Sequence, residues 1–188
     1  MDNSHISRHD AVSPAQFLCT PYLFESPIKR GFDVAVSSLL IVLSLPLLLI
    51  LTLVLKSQGR VLDRLSVVGQ GGRSMVLISF STSSQGLFAA WLKRSGSDRL
   101  PNLFNVLWGD LSLVGPKPLQ VSDLNSAPHV RMGYFKVRPG LTGLWLLSDP
   151  SEQSFRKSKL DRLYMATGSF LVDARILMLS SLRLFGRA

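Results

Sequence analysis

From Val34 to Leu55 the chain reads VAVSSLLIVLSLPLLLILTLVL, with no charged residue between Asp33 and Lys56. An uncharged apolar run of this length can cross a bilayer as a helix, so membrane contact is the first reading. Pro46 stands near its middle, where it removes a backbone hydrogen bond and crowds the preceding turn, and a kink is expected there. Basic residues flank both ends, Lys29 and Arg30 before the run and Lys56 and Arg60 after it. A spanning helix carries its positive charge mainly on the cytoplasmic side. Charge at both ends fits better with a re-entrant helix that enters, bends at Pro46 and returns to the same face. Ser44, within a turn of the break, is placed to satisfy carbonyls that the proline frees. A tilted spanning helix that tolerates its proline is the alternative.

Composition narrows the partners. The chain of 188 residues is 46% hydrophobic and carries 21 Lys+Arg against 12 Asp+Glu, a net charge of +9. Such a balance suits an anionic partner: nucleic acid, a phospholipid surface or a phosphorylated substrate. The apolar run favours lipid, and the absence of zinc-type Cys/His spacing or an aromatic-basic RNA motif argues against nucleic acid. Cys19 is the single cysteine, so no intrachain disulfide and no thiolate metal cluster can form.

Along the chain, residues 1–27 lack periodicity and read as a mobile arm, with a short ordered piece at Phe17 to Phe24. The apolar run starts too far in, and lacks the cleavage site, for a signal peptide. Residues 28–57 read as the membrane helix and 58–188 as a separate domain. Within that domain GQGGR, Gly69 to Arg73, joins two β-leaning runs, Val61 to Val68 and Ser74 to Phe80, as a hairpin. Gly86 to Arg94 reads as a short helix with Phe88, Trp91 and Leu92 on one side, and Pro101 to Leu107 as another with Leu103, Val106 and Leu107 buried. SLVGPKP, Ser112 to Pro118, and RPGLTG, Arg138 to Gly143, are basic loops with rigid and permissive backbone positions, and Leu124 to Val137 is mixed. Lys159 to Leu184 is helical, with Leu160, Leu163, Tyr164, Phe170, Leu171, Ile176, Leu177 and Leu179 apolar. Arg156, Lys157, Arg162, Arg175, Arg183 and Arg187 take the polar positions. That end suits an amphipathic membrane-surface helix or an ordinary core-packed one.

Two loops that join Gly and Pro turns to a cation can hold oxyanions, and a nearby carboxylate such as Asp98 can attack phosphorus or hold a divalent metal. Taken in order, KRGFD before the proline-broken run, SDRLPNLFNVLWGDLSLVGPKP, RPGLTG and LDRLYMATGSFLVDARIL resemble the bacterial sugar transferase family, the monotopic phosphoglycosyl transferases. The resemblance covers about Ile28 to Phe185. It implies a membrane-associated α/β fold, mostly α, with a re-entrant helix, interfacial amphipathic helices, a small β-hairpin and active-site loops, seated on the cytoplasmic face of the bacterial inner membrane.

The activity it implies is transfer of a sugar-1-phosphate from a UDP-sugar to polyprenyl phosphate, which initiates a surface glycan of the exopolysaccharide or O-antigen type. An aspartate attacks the β-phosphorus to give a covalent phosphosugar-enzyme, with Mg2+ offsetting the diphosphate charge. Asp98 falls on the nucleophile of the family's SLDELPQ-like motif. Lys117 falls in the GPRP-like loop, where lysine keeps the charge of the usual arginine but loses its fork. Arg138 opens the PGxTG loop and would meet phosphate. Asp161 and Asp173 fall where the family carries aspartates, serving a metal or a sugar hydroxyl, or merely pairing on a basic helix.

Several positions depart from the pattern. Arg99 replaces the glutamate after the nucleophile, and an arginine can neither bind a metal nor accept a proton, which sets the Mg2+ expectation in question. Arg99 can hold diphosphate oxygens directly, or pair with Asp98 and occupy it. Ser79 and Ser81 stand where a KFRSM-like strand carries a lysine and an arginine, and Leu65 and Val67 replace a glutamine and an arginine of a QxR-like segment. Two readings follow: an active transferase with Arg99 recruited to phosphate, or a catalytically impaired member acting as a partner or scaffold subunit of a glycan-assembly complex; under either, the protein partner is a second copy in a homodimer or a glycan-assembly component.

Overall fold

The computed structural model describes residues 26–59, 61–82, 87–120, 134–148 and 154–185. The N-terminal arm with Cys19, together with Arg60, Gly86, Leu124 through residue 133 and Arg187, lies outside the described residues, as do the side chains of Arg156 and Lys157. The described part is mostly helical with a small amount of sheet, and includes one helix long and apolar enough to cross a membrane by length and composition.

That helix, α1, runs from Pro27 to Ser57. The Ser26 side chain caps its start by accepting from the Ile28 amide, and Pro27 in the first turn has no amide that needs a partner. Gly59, at φ 87°, follows its end. Pro46 lies inside α1 and does not terminate it. The proline is therefore a missing hydrogen bond within one helix rather than a boundary between two. The Ser44 hydroxyl donates to the Ile41 carbonyl at 3.3 Å, one residue short of the Val42 carbonyl that an i to i−4 bond from position 46 would have used.

One stripe of α1 is buried on both sides of Pro46: Asp33, Ser37 and Ile41 before it, Leu48, Leu51 and Leu55 after it. Ile41 joins the main core with Leu103, Val106, Leu113 and Tyr164, while the second half packs on Phe80 and Leu92. Leu39, Leu43, Leu49, Ile50 and Leu53 are all more than half exposed, so α1 is not the core helix of a water-soluble domain.

The hairpin forms where the two β-leaning runs placed it. Strand β1, Leu62–Val68, pairs antiparallel with β2, Ser74–Phe80, across a 3-10 turn at Gln70–Gly72. Helix α2, Leu87–Ser95, buries Leu92 and packs Phe88, but Trp91 is exposed. A 3-10 turn at Ser97–Arg99 leads into α3, Asn102–Trp108, which buries Leu103 and Val106 as its periodicity requires. Two asparagines on α3 bind the edge of the hairpin: Asn102 Oδ1 accepts from the Ile78 amide at 3.0 Å, and Asn105 Nδ2 donates to the Val76 carbonyl at 2.8 Å. Arg30 of α1 donates to the Val106 and Leu107 carbonyls, at 2.7 and 2.9 Å, near the C-terminal end of α3.

The two Gly/Pro loops contain strands that the sequence reading did not anticipate. Within SLVGPKP lies β3, Ser112–Val114, and within RPGLTG lies β4, Gly140–Thr142; they pair in parallel, Ser112 with Gly140 and Val114 with Thr142. Strands this short show no periodicity, and their partner is far away in sequence. A short helix α4, Leu144–Leu147, follows β4. The C-terminal helical region is two helices, α5, Ser154–Thr167, and α6, Phe170–Phe185, divided at Gly168 and Ser169. The Ser169 side chain accepts from the Val172 amide at 3.3 Å, as a helix cap does. Tyr164 and Ile176 are core residues, whereas Leu163, Leu171 and Leu179, expected in the apolar stripe, are exposed.

Candidate active site

Asp98 sits in the 3-10 turn between α2 and α3, just after Gly96, whose φ of 70° reverses the chain. This turn, the inner face of the hairpin and the two Gly/Pro loops enclose a cleft of about 820 Å³ of open space. Asp98, Arg99 and Lys117 all line it, with Asn102, Gln120 and Trp145. Leu65, Val67 and Ser79 line it too. The positions read as departures from the family pattern therefore face the candidate nucleophile, apart from Ser81, which is buried outside the cleft lining.

The two loops can meet because their glycines touch backbone to backbone. A Cβ on Gly115 would lie 2.6 Å from the Arg138 carbonyl oxygen and 2.7 Å from the Gly140 nitrogen. The Gly115 amide donates to Thr142 O at 3.0 Å and the Gly140 amide to Pro116 O at 2.9 Å. Lys117 is fixed on both sides of its peptide: its amide donates to Asp161 Oδ2 at 3.3 Å, and its carbonyl accepts from the buried Tyr134 hydroxyl at 2.9 Å. The Leu119 carbonyl accepts from Val68 at 2.8 Å, tying the loop to the hairpin.

Asp98 is partly buried and its Oδ1 has no hydrogen-bond partner. Burial pushes its carboxyl above the ordinary range, opposed by the charges of Arg99 and Lys93 and by the amides of Asp98 and Arg99. The Arg99 guanidinium makes no ion pair with it; its carbon stands 5.6 Å from the centre of the Trp145 ring. The nucleophile candidate and its neighbour thus share a cleft without neutralising one another. The Trp145 Nε1 is buried and also lacks a partner.

The remaining sequence candidates lie elsewhere. Arg138 does not line the cleft; it faces a smaller pocket with Lys29, Arg30, Asp33 and Ser112. Asp173 is engaged with Lys29 in a buried ion pair and accepts from the Tyr164 hydroxyl at 2.6 Å. Lys29 and Tyr164 both also reach the Val114 carbonyl, at 3.3 and 3.1 Å. Asp173 is thus part of a polar clamp that joins α1, α6 and the end of β3. Asp161 lies beneath the Lys117 loop with Oδ1 unpartnered, and burial pushes its carboxyl up to about 7, against the Lys117 amide and charge. Ser44 and Pro46 are remote from the cleft lining.

A divalent cation needs several oxygen ligands from the protein or its substrate. Among the described residues, Asp98 is the only carboxylate lining the cleft, beside two cations, and there is no cluster of three or more His, Cys, Asp or Glu. This donor set does not fit a resident Mg2+.

Asn102, Tyr134 and Trp145 were not singled out from sequence. The available signals were two asparagines three apart on an apolar helix, and a tryptophan two residues after Gly143.

The bacterial sugar transferase family matches residues 85–187. A UDP-glucose:undecaprenyl-phosphate glucose-1-phosphate transferase from Klebsiella pneumoniae is 30% identical over 84% of this chain and 42% of its own length. The exopolysaccharide production protein ExoY of Rhizobium meliloti is 26% identical over 77% of this chain and 80% of its own length. An undecaprenyl-phosphate galactose phosphotransferase from Salmonella typhimurium is 28% identical over 80% of this chain and 39% of its own length. The chain thus spans about two-fifths of the Klebsiella and Salmonella relatives and most of ExoY. With more than half of its residues matched, the chain belongs to the bacterial sugar transferase family.

Proposed function

We propose that this protein transfers a sugar-1-phosphate from a UDP-sugar to polyprenyl phosphate, with Asp98 as the nucleophile. The observation that carries this reading is the unpartnered Asp98 Oδ1 in a cleft shared with Arg99 and Lys117. In the first step a carboxylate oxygen of Asp98 bonds to the β-phosphorus, and the bond from that phosphorus to the bridging oxygen breaks. UMP leaves with the electron pair. In the second step a phosphate oxygen of the lipid bonds to the same phosphorus and the aspartyl bond breaks, returning the carboxylate. Partial burial serves the attack, because a carboxylate with less hydration is a stronger nucleophile. Lys117 and Arg99 offset charge on the transferring phosphoryl group.

The seat of the reaction is a membrane surface in this reading. The buried stripe of α1 from Asp33 to Leu55 is about 33 Å long at helical rise, close to the thickness of a bilayer's hydrocarbon core. A helix perpendicular to the membrane could not lay both its halves on one water-exposed domain. The exposed leucines of α1, with Leu171, Met178 and Leu182 of α6, supply apolar surface for lipid. This supports a monotopic anchor, which the reading seats at the cytoplasmic face of the inner membrane by family resemblance alone.

The neutral Leu65, Val67 and Ser79 in the cleft favour a second reading, a family member that binds its ligands or a glycan-assembly partner without turnover. The two part on a single assay. Membrane-extracted protein incubated with UDP-glucose or UDP-galactose and undecaprenyl phosphate releases UMP if the first holds, and Asp98→Asn abolishes the release. Well-folded protein that releases none from any UDP-sugar leaves only the second.

A further inference from the structure

Arg99 is presented to the cleft rather than consumed within it. A guanidinium has its five N–H groups in its own plane, so stacking on an aromatic face leaves that edge free for a pair of phosphate oxygens, whereas pairing with Asp98 would have used it. Trp145 receives Arg99 at 5.6 Å, lines the same cleft, and has a buried indole N–H with no partner. Among the described residues, Arg99 and Lys117 are the only cationic ones lining the cleft, and Asp98 is the only acidic one. Two positive groups match the two charges of a diphosphate, while the one carboxylate is the attacking group and is not available to hold a metal.

We propose that Arg99, held over the Trp145 ring, supplies at this cleft the charge neutralisation that a divalent cation would otherwise bring, so that a nucleoside diphosphate binds here without metal. Trp145 is the positioning residue for the guanidinium. This rests on the reading of the ligand as a UDP-sugar.

The test is calorimetric titration of the full-length, detergent-extracted protein with UDP, once in EDTA and once in Mg2+, with folding of every variant checked by near-ultraviolet circular dichroism. The affinity is expected to be the same in both buffers. Arg99→Ala weakens it about tenfold or more in EDTA, as loss of a charge-assisted contact does. Arg99→Lys recovers part of that loss, and Trp145→Leu lowers affinity more than Trp145→Phe, which keeps the ring but not the N–H. Arg99→Glu binds UDP only when Mg2+ is present. Binding by the unmodified protein that requires Mg2+ overturns the inference and leaves the proposed transferase standing. Unchanged affinity of folded Arg99→Ala in EDTA also overturns it. Absence of UDP binding in both buffers by folded protein overturns the inference together with the UDP-sugar reading.

Discussion

Gly115→Ala is the sharpest structural perturbation the fold offers. The new methyl would lie 2.6 Å from Arg138 O, 2.7 Å from Gly140 N and 3.0 Å from Gly140 Cα. All three are backbone atoms, so no side chain can swing away, and β3 must separate from β4. The bonds from Gly115 N to Thr142 O and from Gly140 N to Pro116 O, at 3.0 and 2.9 Å, stretch or break with it. Overpacking of this kind costs about 1–3 kcal/mol, and each buried backbone group left unpaired adds about 1–3 kcal/mol. With one group unpaired for each of the two bonds, the sum is roughly 3–9 kcal/mol, a fall in melting temperature on the order of 10–30 °C for a chain of this size. Thermal unfolding of the detergent-extracted protein, followed by near-ultraviolet circular dichroism, measures it. The same substitution at Gly31 is the control, because a Cβ there meets nothing within 4 Å and the position is inside α1. Gly31→Ala raises stability by about 1 kcal/mol through helix propensity. If Gly115→Ala melts with the unmodified protein, the backbone contact between the two loops is wrong.

Other outcomes follow from the buried polar groups and from α1. The folded protein keeps a proton on Asp161 up to about 7, while the unfolded chain releases it near 3.8, so the folded state binds more protons between those values and stability falls as pH rises through that window. The change amounts to at most about 4 kcal/mol; Asp161→Asn, which cannot titrate, loses this decline between pH 4 and 8, and an unaltered pH profile of melting would count against it. Lys29→Met leaves Asp173 as an unpaired buried charge and costs about 3–5 kcal/mol, most of which returns when Asp173→Leu is added; a double variant no more stable than the single one contradicts the clamp. Replacing the exposed Leu43 and Ile50 by Gln removes roughly 1.5–3 kcal/mol of lipid burial for each. The variant then leaves vesicles in an alkaline wash that retains the parent protein; equal retention places those residues outside lipid.

What the sequence revealed was set by the range of each interaction. The hairpin and the Leu103/Val106 face were readable because a glycine-rich turn between β-leaning runs, and helical spacing, are local. The β3 and β4 pairing was not, since its evidence in sequence is a few glycines whose need to touch appears only when Gly115 and Gly140 meet. Similarly, Asp98 and Lys117 were named from the order of motifs, and the fold brings them to one cleft. Arg138 belongs to an equally distinctive motif yet lines a different pocket, because which cavity a loop residue borders depends on how distant loops meet, which no motif states. Asp173 was legible as an acid on a basic helix but not as the partner of Lys29, which lies at the other end of the chain. The fate of Arg99 depended on Trp145, a residue without any motif role at the outset.

The central claim, that Asp98 carries the phosphosugar, is tested most directly by intact-protein mass measurement after incubation with UDP-glucose or UDP-galactose in the absence of lipid acceptor. The account predicts a mass gain of one hexose phosphate, mapped to the peptide that contains Asp98, removed by undecaprenyl phosphate and absent from Asp98→Asn. An adduct on another residue, or UMP release that persists in Asp98→Asn, would contradict it.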